Sequence, residues 1–191
     1  TLTSKINEKG FCQSQWNDVV FESHLTGAYN QDNINAAIAL GMMFGLTGAQ
    51  IQKGIASYVP KNNRSQWIQT KKNKVLLDAY NANPSSMKAA LSAFGKFPHE
   101  KKGVILGDML ELGTYAKKEH QATIAQIEEM NLDLVLLVGP LFQSVSQNEN
   151  HLRFSSTKEA KMWIENEAVS DAALLIKGSR GIALEQLLDA L

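Results

Sequence analysis

Four short stretches of this sequence directly follow apolar runs, and three of them gather charged or amide side chains able to do chemistry. They are DAYNANP (78–84), LGDMLELG (106–113), VGP (138–140) and KGSRG (177–181). Ionisable and amide groups in such places are costly unless solvated or paired. In the first stretch Asp78 is suited to accept hydrogen bonds from ribose hydroxyls. The planar amides of Asn81 and Asn83 suit a base or another amide, and Tyr80 lies beside them. Asn83 also fits a plainer role, capping a helix that starts at Pro84. In the second stretch Asp108 and Glu111 are either two solvated acids in a Gly-bounded loop or carboxylates that meet an ammonium group or support a metal. In the fourth, Lys177, Ser179 and Arg180 precede a helix. Two cations, a hydroxyl and backbone N–H groups there make a seat for a carboxylate or phosphate, with a basic turn as the plain alternative. His120 shares a helix face with Ile124 and Ile127 and reads as a structural histidine. Nothing around Cys12 points to reactivity.

The elements that must position these residues alternate strand and helix from about residue 74. Strands are predicted over 74–80, 103–109, 132–139 and 172–178, with a short one at 151–154. Helices are predicted over 83–94, 117–130, 157–168 and 182–191, the third capped by Thr157. The run at 132–139 is continuously apolar and is expected at the centre of a parallel sheet. Alternation of this spacing means an α/β fold with a Rossmann-like, mostly parallel sheet and helices on both faces. In open sheets of that kind the ligand site lies beyond the carboxyl ends of the strands, where all four stretches fall. Residues 1–59 read differently, as a mainly helical segment. A helix capped by Asp32 or Asn33 runs to Gly45, a second capped by Thr47 ends before Pro60, and one strand is expected near 16–21. PKNNRSQ (60–66) reads as a connection.

Composition narrows the function further. The 191 residues carry 19 Lys plus Arg against 19 Asp plus Glu, which argues against a broad polyanion-binding surface but not against one small phosphate site. The single cysteine excludes an intrachain disulfide and a cysteine zinc cluster, and the four histidines have no metal-ligand spacing. No apolar run approaches the length of a bilayer span, and the sequence opens without Met or an apolar leader core, so a processed or truncated, cytoplasmic chain is expected. The motifs GxxxxGK[ST], GxGxxG after a strand, HExxH and GxSxG are all missing from the sequence.

The runs DAYNANPSSM (78–87), LGDMLELG (106–113) with His120, and KGSRG (177–181) together resemble the Mur ligases, the ATP-dependent amide ligases of bacterial cell-wall synthesis. Within that family the resemblance is to the branch that joins D-alanyl-D-alanine to UDP-MurNAc-tripeptide. GAYNQDN (27–33) looks like the end of the family's central ATPase domain, and Arg64 like the arginine of its linker. The resemblance implies a central-domain tail over 1–59, a hinge over 60–64 and the C-terminal Rossmann-like domain over 65–191. It implies ATP and Mg²⁺ as cofactors, with the P-loop, the Mg²⁺ ligands and a carbamylated lysine upstream of residue 1. No metal ligand is expected in this stretch, which is expected to be inactive alone and monomeric, with no nucleic-acid partner.

By the same resemblance Tyr29, Asn30 and Asn33 face adenine or its ribose, and Arg64 reaches the γ-phosphate. Asp78 holds the ribose while Tyr80, Asn81 and Asn83 shape the cleft. Asp108, Glu111, Lys177, Ser179 and Arg180 frame the dipeptide, with Arg64 and Lys177 as the catalytic cations. The sequence departs from the family at Tyr29, where His is common, and at NNRSQ, where a Gly usually precedes the Arg. Two other readings stay open: a related ATP-dependent amide ligase with a different amine acceptor, and a non-catalytic Rossmann-like nucleotide- or peptide-binding module.

Overall fold

The computed structural model describes residues 2–8, 10–27, 29–60, 63–167 and 169–191. The chain divides into two compact units, residues 1–61 and 62–191.

In the first unit β1 (Leu2–Ile6), β2 (Phe11–Trp16) and β3 (Val19–Thr26) form an antiparallel sheet in sequence order, followed by α1 (Tyr29–Met43) and α2 (Gly48–Ser57). The segment expected to be mainly helical thus opens with three strands where one was expected. The single strand expected near 16–21 is two strands joined at a hairpin. Trp16 pairs with Val19, and Asn17 takes a left-handed φ of 52°, the conformation that a two-residue hairpin turn requires. Helix α1 starts at Tyr29, ahead of the expected Asp32 or Asn33. Helix α2 begins as expected: the Thr47 hydroxyl accepts the Gln50 N–H, and the Gln50 side chain accepts the Thr47 N–H in return. Cys12, Phe21, Ile34, Ile38 and Ile51 form the small core of this unit.

The second unit is built on a six-stranded sheet of order β4-β5-β9-β6-β7-β8. Its strands are β4 (Gln66–Gln69), β5 (Lys74–Asp78), β6 (Lys102–Gly107), β7 (Leu134–Val138), β8 (Leu152–Phe154) and β9 (Ala173–Lys177). All neighbours run parallel except β4, which pairs antiparallel with β5 and was not expected. The helices α3 (Pro84–Gly95), α4 (Ala116–Glu128) and α5 (Pro140–Val145) supply Met87, Leu91, Phe94, Ile124, Ile127 and Phe142 to the core on one face. On the other face α6 (Thr157–Glu167) and a 3-10 segment at Leu184–Ala190 supply Ala160, Ile164, Leu184 and Leu187. With both faces covered the strands can be apolar throughout, and all five residues of β9 are buried. The α/β fold with helices on both faces is the expected one.

Three local expectations are corrected. The apolar run at 134–138 lies one strand from the edge; the centre of the sheet is β9 and β6, because the last strand of the chain inserts between β5 and β6. Thr157 is the first residue of α6, and its hydroxyl donates to the Ile182 carbonyl. The capping contact comes from Ser156, whose hydroxyl accepts the Glu159 N–H at 3.3 Å. The C-terminal segment is 3-10 and begins after Ala183, which has a left-handed φ of 57°.

Candidate functional site

The parallel register sets Asp78 at the end of β5 directly beside Lys177 at the end of β9. Their side chains form an ion pair, with the Lys177 side chain 1% and the Asp78 side chain 13% exposed. A lysine this buried is stable only when paired and hydrogen-bonded, and its Nζ also donates to the Asn81 carbonyl at 3.4 Å. The other oxygen of Asp78 accepts the Ser65 N–H at 3.1 Å. The Tyr80 N–H donates to the Asn63 carbonyl at 3.1 Å. Residues 63–65 are thus fastened to the end of β5. Asn63 and Ser65 both hold left-handed φ angles, 56° and 46°, on either side of Arg64. Such a conformation is uncommon for residues other than glycine, and here neighbouring hydrogen bonds hold it.

Two further cations meet at Tyr80. The Arg64 guanidinium carbon lies 3.8 Å from the ring centroid and that of Arg180 lies 5.4 Å from it. Both arginines are exposed. Among the described residues neither has a carboxylate within ion-pair distance. Lys177 is neutralised by Asp78, so the uncompensated positive charge of this rim belongs to the two guanidiniums. That arrangement is suited to an anion.

The remaining candidates divide between rim and scaffold. Asn81 and Glu111 are exposed, Glu111 with a left-handed φ of 67°. Asn83 is the N-cap of α3, accepting the Ser86 N–H at 2.8 Å, as its plain reading had it. Ser179 is buried and knits three strand ends together. Its N–H donates to the Asp108 carbonyl at 3.1 Å, its hydroxyl accepts the Leu110 N–H at 2.9 Å, and the same hydroxyl donates to the Ala82 carbonyl at 3.4 Å. Asp108, 1% exposed, accepts the N–H groups of Leu141 and Phe142, each at 2.9 Å, and so caps α5. In this arrangement Ser179 and Asp108 hold the rim in shape.

His120 is wholly buried against the edge of Phe142. Its Nε2 accepts the Met109 N–H at 3.1 Å and its Nδ1 lies 2.7 Å from the Ala116 carbonyl, which assigns the neutral tautomer protonated at Nδ1. It is a structural histidine. Burial pushes the Cys12 thiol up to about 11, far from a reactive thiolate.

In the first unit Asn30 is buried, donates to the Thr26 carbonyl at 2.7 Å, and accepts from the Asn33 side chain at 3.0 Å. The Tyr29 side chain lies outside the described residues, as do Lys61 and Asn62 of the expected hinge. A separate hollow of about 460 Å³ in this unit is lined by Lys5, Phe11, Glu22 and His24, none of them a candidate. Sequence reasoning missed Ser65 and the backbone of Asn63. The one signal available was an Asn-Asn-Arg-Ser run, which fits left-handed turn conformations.

A family profile described as Mur ligase, glutamate ligase domain, matches residues 63–180, which span the rim from Asn63 to Arg180. The chain belongs to the Mur ligase family. Among Mur ligases it is 34% identical over 173 residues to the UDP-N-acetylmuramoyl-tripeptide–D-alanyl-D-alanine ligase of Treponema pallidum, covering 85% of this chain and 37% of that protein. It is 33% identical to the same ligase of Escherichia coli, covering 87% of this chain and 38% of that protein. The crystal structure of MurF from Acinetobacter baumannii superposes with a TM-score of 0.84 at 25% identity, over 97% of this chain and 43% of that one. The resemblance within the Mur ligases is therefore to MurF, of which the chain spans less than half the length.

Proposed function

We propose that these residues supply the C-terminal part of an ATP-dependent ligase that joins D-alanyl-D-alanine to UDP-MurNAc-tripeptide. On this reading residues 1–59 end a central ATPase domain, 60–64 form a hinge, and 65–191 close over the substrates. The observation that carries the reading is the pair of unpartnered guanidiniums, Arg64 and Arg180, held against Tyr80 at the carboxyl ends of β5 and β9.

The chemistry joins a carboxylate to an amine, and ATP supplies the driving force by turning the carboxylate into an acyl phosphate. The amine of the dipeptide then attacks, and phosphate leaves. Arg64 meets transferring phosphate charge, where a guanidinium stabilises the transition state. Arg180 favours the dipeptide carboxylate, with Lys177 held behind it in its pair with Asp78, and Glu111, exposed in its loop, favours the ammonium. Asp78 keeps accepting capacity beyond the Lys177 pair and the Ser65 N–H, since a carboxylate offers about four lone-pair sites, enough for a ribose hydroxyl. Tyr29, Asn30 and Asn33 are assigned to the adenosine end. Closure excludes water from a hydrolysable acyl phosphate. Among the described residues no three His, Cys, Asp or Glu side chains gather as a metal site, so no step is assigned to Mg²⁺ through them. Nor is any helix of the described residues long and apolar enough to cross a membrane.

The test is phosphate release from ATP-Mg²⁺ and UDP-MurNAc-tripeptide by the longer protein to which these residues belong, with and without D-alanyl-D-alanine. Dependence on the dipeptide is expected, and no turnover by the 191-residue chain alone. Release that instead requires glutamate or another single amino acid would replace the proposed acceptor within the same family.

A further inference from the structure

We infer that Tyr80 is a positioning residue that yokes Arg64 and Arg180 into one anion seat, rather than a wall of the cleft beside two separate cationic contacts. Arg64 stands in the loop at the start of the second unit and Arg180 follows the last strand, so they lie 116 positions apart in sequence. They are brought together because β9 lies next to β5 and because β4 begins, and β5 and β9 finish, at the same end of the sheet. One ring serves both: the guanidinium carbons sit 3.8 Å and 5.4 Å from its centroid, so they are never farther apart than those two distances laid end to end.

Two like charges within about 9 Å of each other repel, weakly where both are exposed, and among the described residues neither has a carboxylate within ion-pair distance. What holds them is the electron-rich ring face, together with backbone bonds that fix each arginine's segment. The Tyr80 N–H ties Asn63, and the Ser65 N–H is tied to Asp78. On the Arg180 side the Ile182 N–H returns to the Ser179 carbonyl at 2.9 Å. A dianion bound between them is attracted by both forks. A diphosphate or similar polyphosphate group is the class of ligand this fits. The Tyr80 hydroxyl has no part in this; the ring does. The ligase reading brings a phosphate to Arg64 and a carboxylate to Arg180 side by side during turnover, while the seat itself is a property of these residues and is tested without turnover.

The chain contains three arginines, at 64, 153 and 180, so the guanidinium Nε–Hε NMR signals number three. Arg153 donates to the Ser146 carbonyl at 2.7 Å, away from the rim, and serves as the internal reference. Titration of the 191-residue chain with pyrophosphate should move the Arg64 and Arg180 signals together, with one apparent affinity, and leave Arg153 in place. Tyr80→Phe should bind as the wild type does. Tyr80→Leu should weaken binding about tenfold, the loss of two exposed cation–ring contacts. Arg180→Lys leaves the ring and the charge but removes the planar fork, and should weaken the Arg64 response in a protein whose fold is untouched. Tyr80→Leu binding within twofold of wild type, an Arg64 response indifferent to Arg180→Lys, or no movement of either signal would each overturn the assignment. Failure of the dipeptide-dependent turnover would leave these signals unchanged, so the two readings fail separately.

Discussion

Asp108→Asn removes charge and half the accepting capacity from a side chain whose volume stays the same. In the native protein its two oxygens accept the N–H groups of Leu141 and Phe142, each at 2.9 Å, inside a wall 1% exposed. An amide offers one oxygen, so one N–H turns to face an NH₂ group and has no water to replace the lost acceptor. A lost charge-assisted hydrogen bond of this kind costs about 1.5–3 kcal/mol. Removing a negative charge from the start of so short a helix adds about 0.5 kcal/mol. A total near 3 kcal/mol is a large share of the ~5–15 kcal/mol that holds a domain together. Urea unfolding followed by Trp67 and Trp163 fluorescence, in a Trp16→Phe background, isolates the second unit. With a urea slope of about 2 kcal/mol/M, the midpoint should fall by about 1.5 M. Amide exchange at Leu141 and Phe142 should quicken. A change below about 0.5 kcal/mol, accompanied by a raised KM for the amine substrate in the ligase, would refute the capping assignment and return Asp108 to the substrate.

Lys177→Met leaves the Asp78 carboxylate without its cation and should cost about 2–3 kcal/mol, below the fully buried case because Asp78 keeps some solvent. Asp78→Asn in the same chain should recover part of that loss, and additive losses in a double-mutant cycle would sink the pairing as a stabilising contact. His151 is buried, its Nδ1 lies 2.8 Å from the Ser146 hydroxyl, and its pKa is lowered, chiefly by burial, with Glu128 raising it and Arg153 lowering it further. The unfolded chain therefore takes up the proton first. The contribution of His151 is complete above its ordinary 6.5 and is lost as pH falls from there towards the lowered folded value. Thermal stability should decline as pH falls below the ordinary 6.5, and a His151→Asn variant with the same slope would show that another group is responsible.

What could be read from the sequence was local. Asn83 and Thr47 announced themselves because a cap, its N3 partner and the first helical turn lie within four residues. The strand ends were legible because parallel, doubly covered strands are apolar along their whole length. Asp78 and Lys177 could each be marked as strand-end residues, but their pairing depends on which strands are neighbours, and they stand 99 positions apart. Asp108 is harder still. It caps a helix that begins past the following strand, and an acid that caps at such a distance looks in sequence like an acid waiting for a ligand. Strand β4 left no trace, since four edge residues, three half-buried and one exposed, carry neither an apolar run nor a clear alternation.

The insertion of β9 between β5 and β6 sets an order on synthesis. Until residue 177 has left the ribosome, β5 and β6 have no partner on their facing edges, and both are apolar. A nascent chain paused before that point carries two open, aggregation-prone edges in place of a sheet centre. Chaperone demand during translation should therefore fall sharply over the last strand. Premature stops at any position ahead of it leave chains that no binding partner at the rim can rescue, because the rim does not yet exist.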